Sequence, residues 1–173
     1  GGYDFWVLKL DVAGDVSWQR AYGGGGDDWA GAIRATATGG YLVCGNTRSF
    51  GSASYDAWLV KISDSGAVAW TKRYGGAGND TAYSLQLTPD GGALLAGATD
   101  SSGAGGKDAW LVKTDADGRV EWQSSYGGPG DDAGYWVDVR LNPNGSCVVA
   151  CDTPSLAGQG RDFWLFTPMA GGA

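Results

Sequence analysis

The sequence predicts an all-β fold of the β-propeller type, with four-stranded antiparallel blades, about three blades per chain and thirteen strands in all. Three observations carry this. A motif returns every 52 residues, as Asp4-Phe5-Trp6-Val7-Leu8-Lys9, Asp56-Ala57-Trp58-Leu59-Val60-Lys61 and Asp108-Ala109-Trp110-Leu111-Val112-Lys113, and after a shift of 54 as Asp162-Phe163-Trp164-Leu165-Phe166. A Trp and then a Tyr-Gly-Gly keep the same phase, at Trp18 and Tyr22-Gly23-Gly24, Trp70 and Tyr74-Gly75-Gly76, Trp122 and Tyr126-Gly127-Gly128. Between these anchors lie short strand-like runs and glycine turns, and self-similarity of this length marks propellers, solenoids or arrays.

The middle unit defines the elements. Strand a, residues 82–88, is joined to strand b, residues 93–99, through Pro89-Asp90-Gly91-Gly92, where Pro fixes φ and Gly accepts a positive one. Strand c, residues 109–114, is joined to strand d, residues 119–124, through Asp115-Ala116-Asp117-Gly118. That turn departs from a calcium loop, because the ligand at position five and the Glu at twelve do not follow in register. Strand a is rich in small residues such as Ala30, Gly31 and Ala32, which suits the crowded axis of a propeller and places it innermost. The b–c and d–a links are both longer than hairpin turns, so one of them crosses between blades. In strand c, Trp58, Val60 and Ile62 point one way while Ala57 and Leu59 point the other, so both faces are apolar and need a sheet on each side. The recurring Trp of strands c and d are then wedges between blades, each burying on the order of 200 Å². The third strand a, residues 135–141, reads as two residues longer than its counterparts, which accounts for the shift of 54.

The whole chain, residues 1–173, is read as one domain with repeats over 4–55, 56–107 and 108–161 and a terminal strand at 162–167. In order the strands run c d, a b c d, a b c d, a b c. Three blades are fewer than the four to eight that close a ring. An open array exposes two apolar blade faces, so the chain is expected either to be a piece of a longer propeller or to self-associate and complete one.

Bulk properties narrow the function classes. A net charge of −7 lacks the basic footprint needed to hold a phosphate backbone, so nucleic acid is not an expected partner. No apolar run approaches the roughly 20 residues of a membrane-spanning helix. A start of Gly1-Gly2-Tyr3 without Met suggests a trimmed N-terminus. Cys44, Cys147 and Cys151 lie in apolar strand patterns and read as buried hydrophobes. Cys147 and Cys151 fall on one strand face about 13 Å apart, too far to bridge. With no histidine, a zinc site lacks ligands.

Tyr74-Gly75-Gly76-Ala77-Gly78-Asn79-Asp80-Thr81-Ala82-Tyr83-Ser84-Leu85, followed by Thr88-Pro89-Asp90-Gly91-Gly92 and the Asp108 to Lys113 motif, resembles a repeat common in large exported bacterial and archaeal proteins. The resemblance covers nearly the whole chain, with glycine pairs, acidic pairs and tryptophans all in phase. It implies a propeller-type fold and an extracellular or cell-surface setting, and it brings no catalytic residues.

Two groups of side chains stand out as candidate binding residues. The acidic pairs Asp27-Asp28, Asn79-Asp80 and Asp131-Asp132 follow each glycine-rich loop just ahead of strand a. With strand a innermost they ring a channel mouth, where carboxylates suit a hard cation such as Ca²⁺; equally, Asp and Asn in these positions build Asx turns. The aromatics Trp29, Tyr83, Tyr135 and Trp136 lie near the start of strand a and are not strictly in phase, as suits a ligand surface for carbohydrate or peptide and, equally, core packing. Catalytic signatures are absent: there is no His, no Gly-x-Ser-x-Gly and no Cys–His pair. Gly23-Gly24-Gly25-Gly26 leads into a strand without the Lys-Ser/Thr of a phosphate loop. The sequence thus points to a non-enzymatic, exported, homo-oligomeric binding or assembly scaffold without a dedicated cofactor. The alternatives are a metal-dependent lyase or glycosidase working with the channel-mouth carboxylates, or a purely structural fragment of a larger propeller.

Overall fold

The computed structural model describes residues 2–51, 53–132, 137–142, 146–153 and 162–166. Over these the chain is all-β, with thirteen strands in four antiparallel sheets. The first sheet pairs β1 (Phe5–Leu10) with β2 (Val16–Tyr22). The second runs β3 (Asp28–Ala35), β4 (Tyr41–Thr47), β5 (Asp56–Ile62), β6 (Val68–Tyr74), and the third β7 (Asp80–Leu87), β8 (Ala93–Thr99), β9 (Asp108–Thr114), β10 (Val120–Tyr126). The fourth holds β11 (Val137–Leu141), β12 (Cys147–Thr153) and β13 (Asp162–Phe166). Each sheet is a meander in chain order. The b–c link therefore stays inside a sheet, since β4 and β5 pair from Tyr41 opposite Ile62 to Thr47 opposite Asp56, and the d–a link crosses to the next sheet. The third strand a is described only from Val137, and Tyr135 of its expected span lies outside the described residues.

The c–d turns close by local chemistry. Asp115 accepts the backbone N–H groups of Asp117 at 2.9 Å and Arg119 at 2.8 Å on Oδ1. Asp11 does the same for Ala13 and Asp15, and the Ser63 hydroxyl serves Ala67. Gly118 takes φ 75° where a Cβ would be strained, so Asp115–Gly118 is a turn, as its sequence indicates.

Successive sheets stack face to face. Phe5 and Val7 of the first sheet meet Val43, Trp58, Val60 and Ile62 of the second. From the opposite face of the second, Leu42, Cys44, Ala57 and Leu59 meet Leu85, Leu95, Trp110 and Val112 of the third. Leu94, Ala96 and Leu111 of the third then meet Val137, Val139 and Val149 of the fourth. The alternation along β5 is the one its sequence predicts, with both faces buried. All three cysteines are buried.

The sheets approach one another differently at their two edges. Backbone approaches run through the a strands, with β7 against β3 and β4 on one side and β11 on the other. Gly31 permits this, because a Cβ there would meet the Ala82 carbonyl oxygen at 2.7 Å. Toward strand d the sheets are joined by long side chains instead. The Tyr22 hydroxyl donates to the Gly66 carbonyl at 2.7 Å and the Tyr74 hydroxyl to Gly118 at 2.8 Å, each reaching the c–d turn of the next sheet. Burial raises the pKa of both phenols, so they remain donors at neutral pH.

One expectation fails at the first sheet. Trp58 and Trp110 are wedges with 3% and 4% exposure, yet Trp6 is 66% exposed. Among the described residues the first sheet consists only of β1 and β2, and no sheet covers its outer face. β3 shows the same lack of a neighbour, for Ile33 is 42% exposed while Leu85, one repeat later, is at 0%.

Two substitutions test this packing. Leu59→Ala removes a fully buried side chain between the second and third sheets, and is expected to cost about 2–5 kcal/mol in denaturant unfolding. Tyr74→Phe deletes only the bond to Gly118, and is expected to cost about 1 kcal/mol; an unchanged midpoint would show that the bond does not fasten the sheets.

Candidate functional site

The acidic pairs are stitches between sheets. Asp27 accepts the backbone N–H of Tyr3 at 3.0 Å, Asn79 that of Tyr55 at 3.2 Å and Asp131 that of Lys107 at 2.9 Å, each through Oδ1. The donors lie just ahead of strand c in the preceding sheet. An amide oxygen accepts as a carboxylate does, which explains why Asn stands in the second pair. The second residue of each pair is buried. Its backbone N–H donates to the Tyr3, Tyr55 or Lys107 carbonyl, so the preceding sheet is held at both backbone groups of one residue. The side chain then closes the glycine loop. Asp28 Oδ2 takes the Gly24 N–H at 2.9 Å and the Ser49 hydroxyl at 2.8 Å, and Asp80 Oδ2 takes the Gly76 N–H at 2.7 Å and the Ser101 hydroxyl at 2.6 Å. The Thr99 hydroxyl donates to Asp80 Oδ1, and the Gly128 N–H donates to Asp132. These bonds are the loop-building role of Asx residues, extended across a sheet junction.

A further carboxylate approaches each loop from strand c. A Cβ at Gly75 would meet Asp80 Oδ2 at 2.6 Å and Asp56 Oδ1 at 3.0 Å, and Gly23 and Gly127 stand likewise between Asp4 and Asp28 and between Asp108 and Asp132. Asp108 takes the Ala104 N–H at 2.8 Å on Oδ2, while among the described residues its buried Oδ1 has no partner, as is true of Asp28 Oδ1. Burial raises the Asp108 pKa, and the charges of Asp132 and Asp131 add to the rise. Among the described residues no group of three or more His, Cys, Asp or Glu is placed to hold a metal ion.

The aromatic candidates are not gathered in one place. Trp29 projects from β3 at the uncovered end, with its ring 4.5 Å from that of Tyr3 at an interplanar angle of 36°. The Asp27 bond to Tyr3 puts a carboxylate beside this pair. Tyr83, by contrast, packs on the core between the third and fourth sheets. Tyr135 and Trp136 lie outside the described residues. Away from Trp29, toward the other end of β3, a groove of about 310 Å³ opens between β1 and β3, lined by residues 7–10, Trp18, Ile33, Ala35 and Tyr41.

Two exposed aromatics escape the sequence reading. Tyr3 lies just ahead of the first repeat and was hidden by its position. Phe50, in the b–c link, adopts φ 62° and packs on Trp58 in a tilted arrangement, 5.4 Å between centroids and 48° between ring planes. Its counterpart one repeat later is Ser102, and this break of phase is the signal that could have found it.

No family model matches the chain, and no curated protein matches it.

Three substitutions separate loop-building from ligand-holding roles. Asp80→Ala strands the Gly76, Ser101 and Thr99 donors, and is expected to lower stability by about 3 kcal/mol. Asn79→Asp keeps the acceptor for the Tyr55 N–H but replaces the Nδ2 donor to Asp100, at 3.2 Å, by a second carboxylate, and is expected to lower stability by about 1 kcal/mol. Because the folded-state pKa of Asp108 is raised, its ionised form opposes folding, so its contribution to stability is present at acid pH and is lost as pH rises through the folded-state value. Asp108→Asn is therefore expected to raise the melting temperature at pH above neutral, with the gain shrinking as the medium is acidified.

Proposed function

We propose that the chain is a non-enzymatic module of β-propeller type that serves as an assembly scaffold and self-associates to complete a ring. The carrying observation is the contrast between equivalent positions: Ile33 and Trp6 are exposed where Leu85, Trp58 and Trp110 are buried. Tyr3, Leu8, Leu10 and Trp29 are also exposed, all in or beside the first sheet and β3. Exposed apolar side chains concentrated in this way mark an interaction site. Each Å² of apolar surface removed from water contributes about 25 cal/mol.

The ring form is supported by the unequal edges of the sheets, close at strand a and held apart by tyrosine and tryptophan side chains at strand d. Sheets joined in this way are wedges, and wedges of one sense turn about an axis. An exported or cell-surface setting is supported by the resemblance of the Tyr74 to Lys113 repeat to exported bacterial and archaeal propeller repeats. In that setting the Tyr3–Trp29 pair with Asp27 offers flat rings beside a carboxylate, a surface suited to a carbohydrate or protein ligand.

Light scattering over the micromolar range tests the proposal. A mass of two chains or more, rising with concentration, is expected. A clean monomer throughout the range would overturn it.

A further inference from the structure

β1 and β13 carry the same motif and lack opposite neighbours. β13 pairs with β12 so that Asp162 faces Thr153 and Trp164 faces Cys151. That is the register of the complete sheets, where Asp56 faces Thr47 and Trp58 faces Gly45, and Asp108 faces Thr99 and Trp110 faces Gly97. β13 has this strand b and, among the described residues, no strand d; β1 has its strand d, β2, and no strand b. Joining the free edges directly would put two c strands into one sheet. Only one of them can occupy the edge of β12.

Building on the self-association proposed above, we infer that the β1–β2 hairpin of a second copy replaces β13 on β12. β11 and β12 of one copy then complete a four-stranded sheet with β1 and β2 of the other, and β13 is a placeholder that covers the edge of β12 until the exchange. Three observations support this. First, Asp4, Phe5 and Trp6 supply the residue types that the register on β12 requires, with Trp6 opposite Cys151. Second, the groove between β1 and β3 lies where the incoming a–b hairpin must sit. One repeat on, β7 packs on β3 and β4; a strand b beside β1 would likewise lie over Ile33 and Ala35 in that groove. Third, the β1 sequence suits a full-length strand c. The last rung of strand c is Ile62 opposite Tyr41 and Thr114 opposite Ala93. In sequence Leu10 matches that position for β1, whereas Pro168, whose residue type has no N–H to donate, matches it for β13.

The exchange is reciprocal in a two-fold pair, where each copy gives its hairpin and receives one. Two complete sheets from each copy and two shared ones make six, within the range of rings that close.

Full-length variants followed by light scattering test the exchange. Trp6 is exposed in the single chain, so Trp6→Lys is expected to leave the circular dichroism and melting temperature of the monomer unchanged. In the shared sheet the lysine would be buried, and the dissociation constant is expected to rise at least about tenfold. Consecutive N–H groups of a strand point to opposite edges, so either Trp164→Pro or Leu165→Pro removes a bond between β13 and β12. That variant frees the edge and is expected to tighten association by a similar factor. Association that survives Trp6→Lys, or that neither proline variant tightens, would overturn the exchange and leave self-association standing. A wild type that stays monomeric to high micromolar concentration would overturn self-association and the exchange with it.

Discussion

β5 buries Trp58, Val60 and Ile62 against one sheet and Ala57 and Leu59 against the next, so it is stable only between two neighbours. β9 has the same need, with Trp110 and Val112 facing back and Ala109 and Leu111 facing forward. A sheet with two greasy faces cannot end in water without exposing one of them, and each repeat passes this requirement to the next. The requirement is met inside the chain for the third sheet and for β4 and β5 of the second. At the first sheet and at β3 it is unmet, and Trp6 and Ile33 show where.

What holds one sheet at its angle to the next is a different set of residues from those that fill the core. Gly31 lets the a strands touch, the Tyr22 and Tyr74 hydroxyls span the wider gap near strand d, and the acidic pairs tie each d–a link to the sheet behind it. Core side chains would tolerate some sliding, since apolar contact is non-directional. Hydrogen bonds to fixed backbone groups do not. The repeat of these bonds at intervals of one unit makes successive junctions alike.

The strands were legible in the sequence because both signals that define them are local. Period-two alternation assigned the two faces of β5 correctly, and Asp115–Gly118 was identified as a turn from its own residues. The cross-sheet roles were not legible. Asp27 and Asn79 looked like members of a loop, yet their partners Tyr3 and Tyr55 lie 24 residues earlier, and no pattern along the chain links an acceptor to a backbone donor that distant. The crossing link is likewise not legible, because the b–c and d–a links are both longer than hairpin turns and only the ladder between β4 and β5 tells them apart. Trp6 shares its motif with Trp58 and Trp110, so sequence treats the three as equal. Their surroundings differ because burial depends on the neighbouring sheet, which the motif does not encode.

Distances between spin labels on the c–d turns test the central geometry most directly. Residues 13, 65 and 117 are exposed at equivalent points of three successive sheets, and labelled chains diluted in unlabelled protein report distances within one molecule. Radial packing predicts equal separations for 13 to 65 and 65 to 117, with the 13 to 117 separation clearly shorter than their sum. A 13 to 117 separation equal to the sum would mean a straight stack, and would contradict the account.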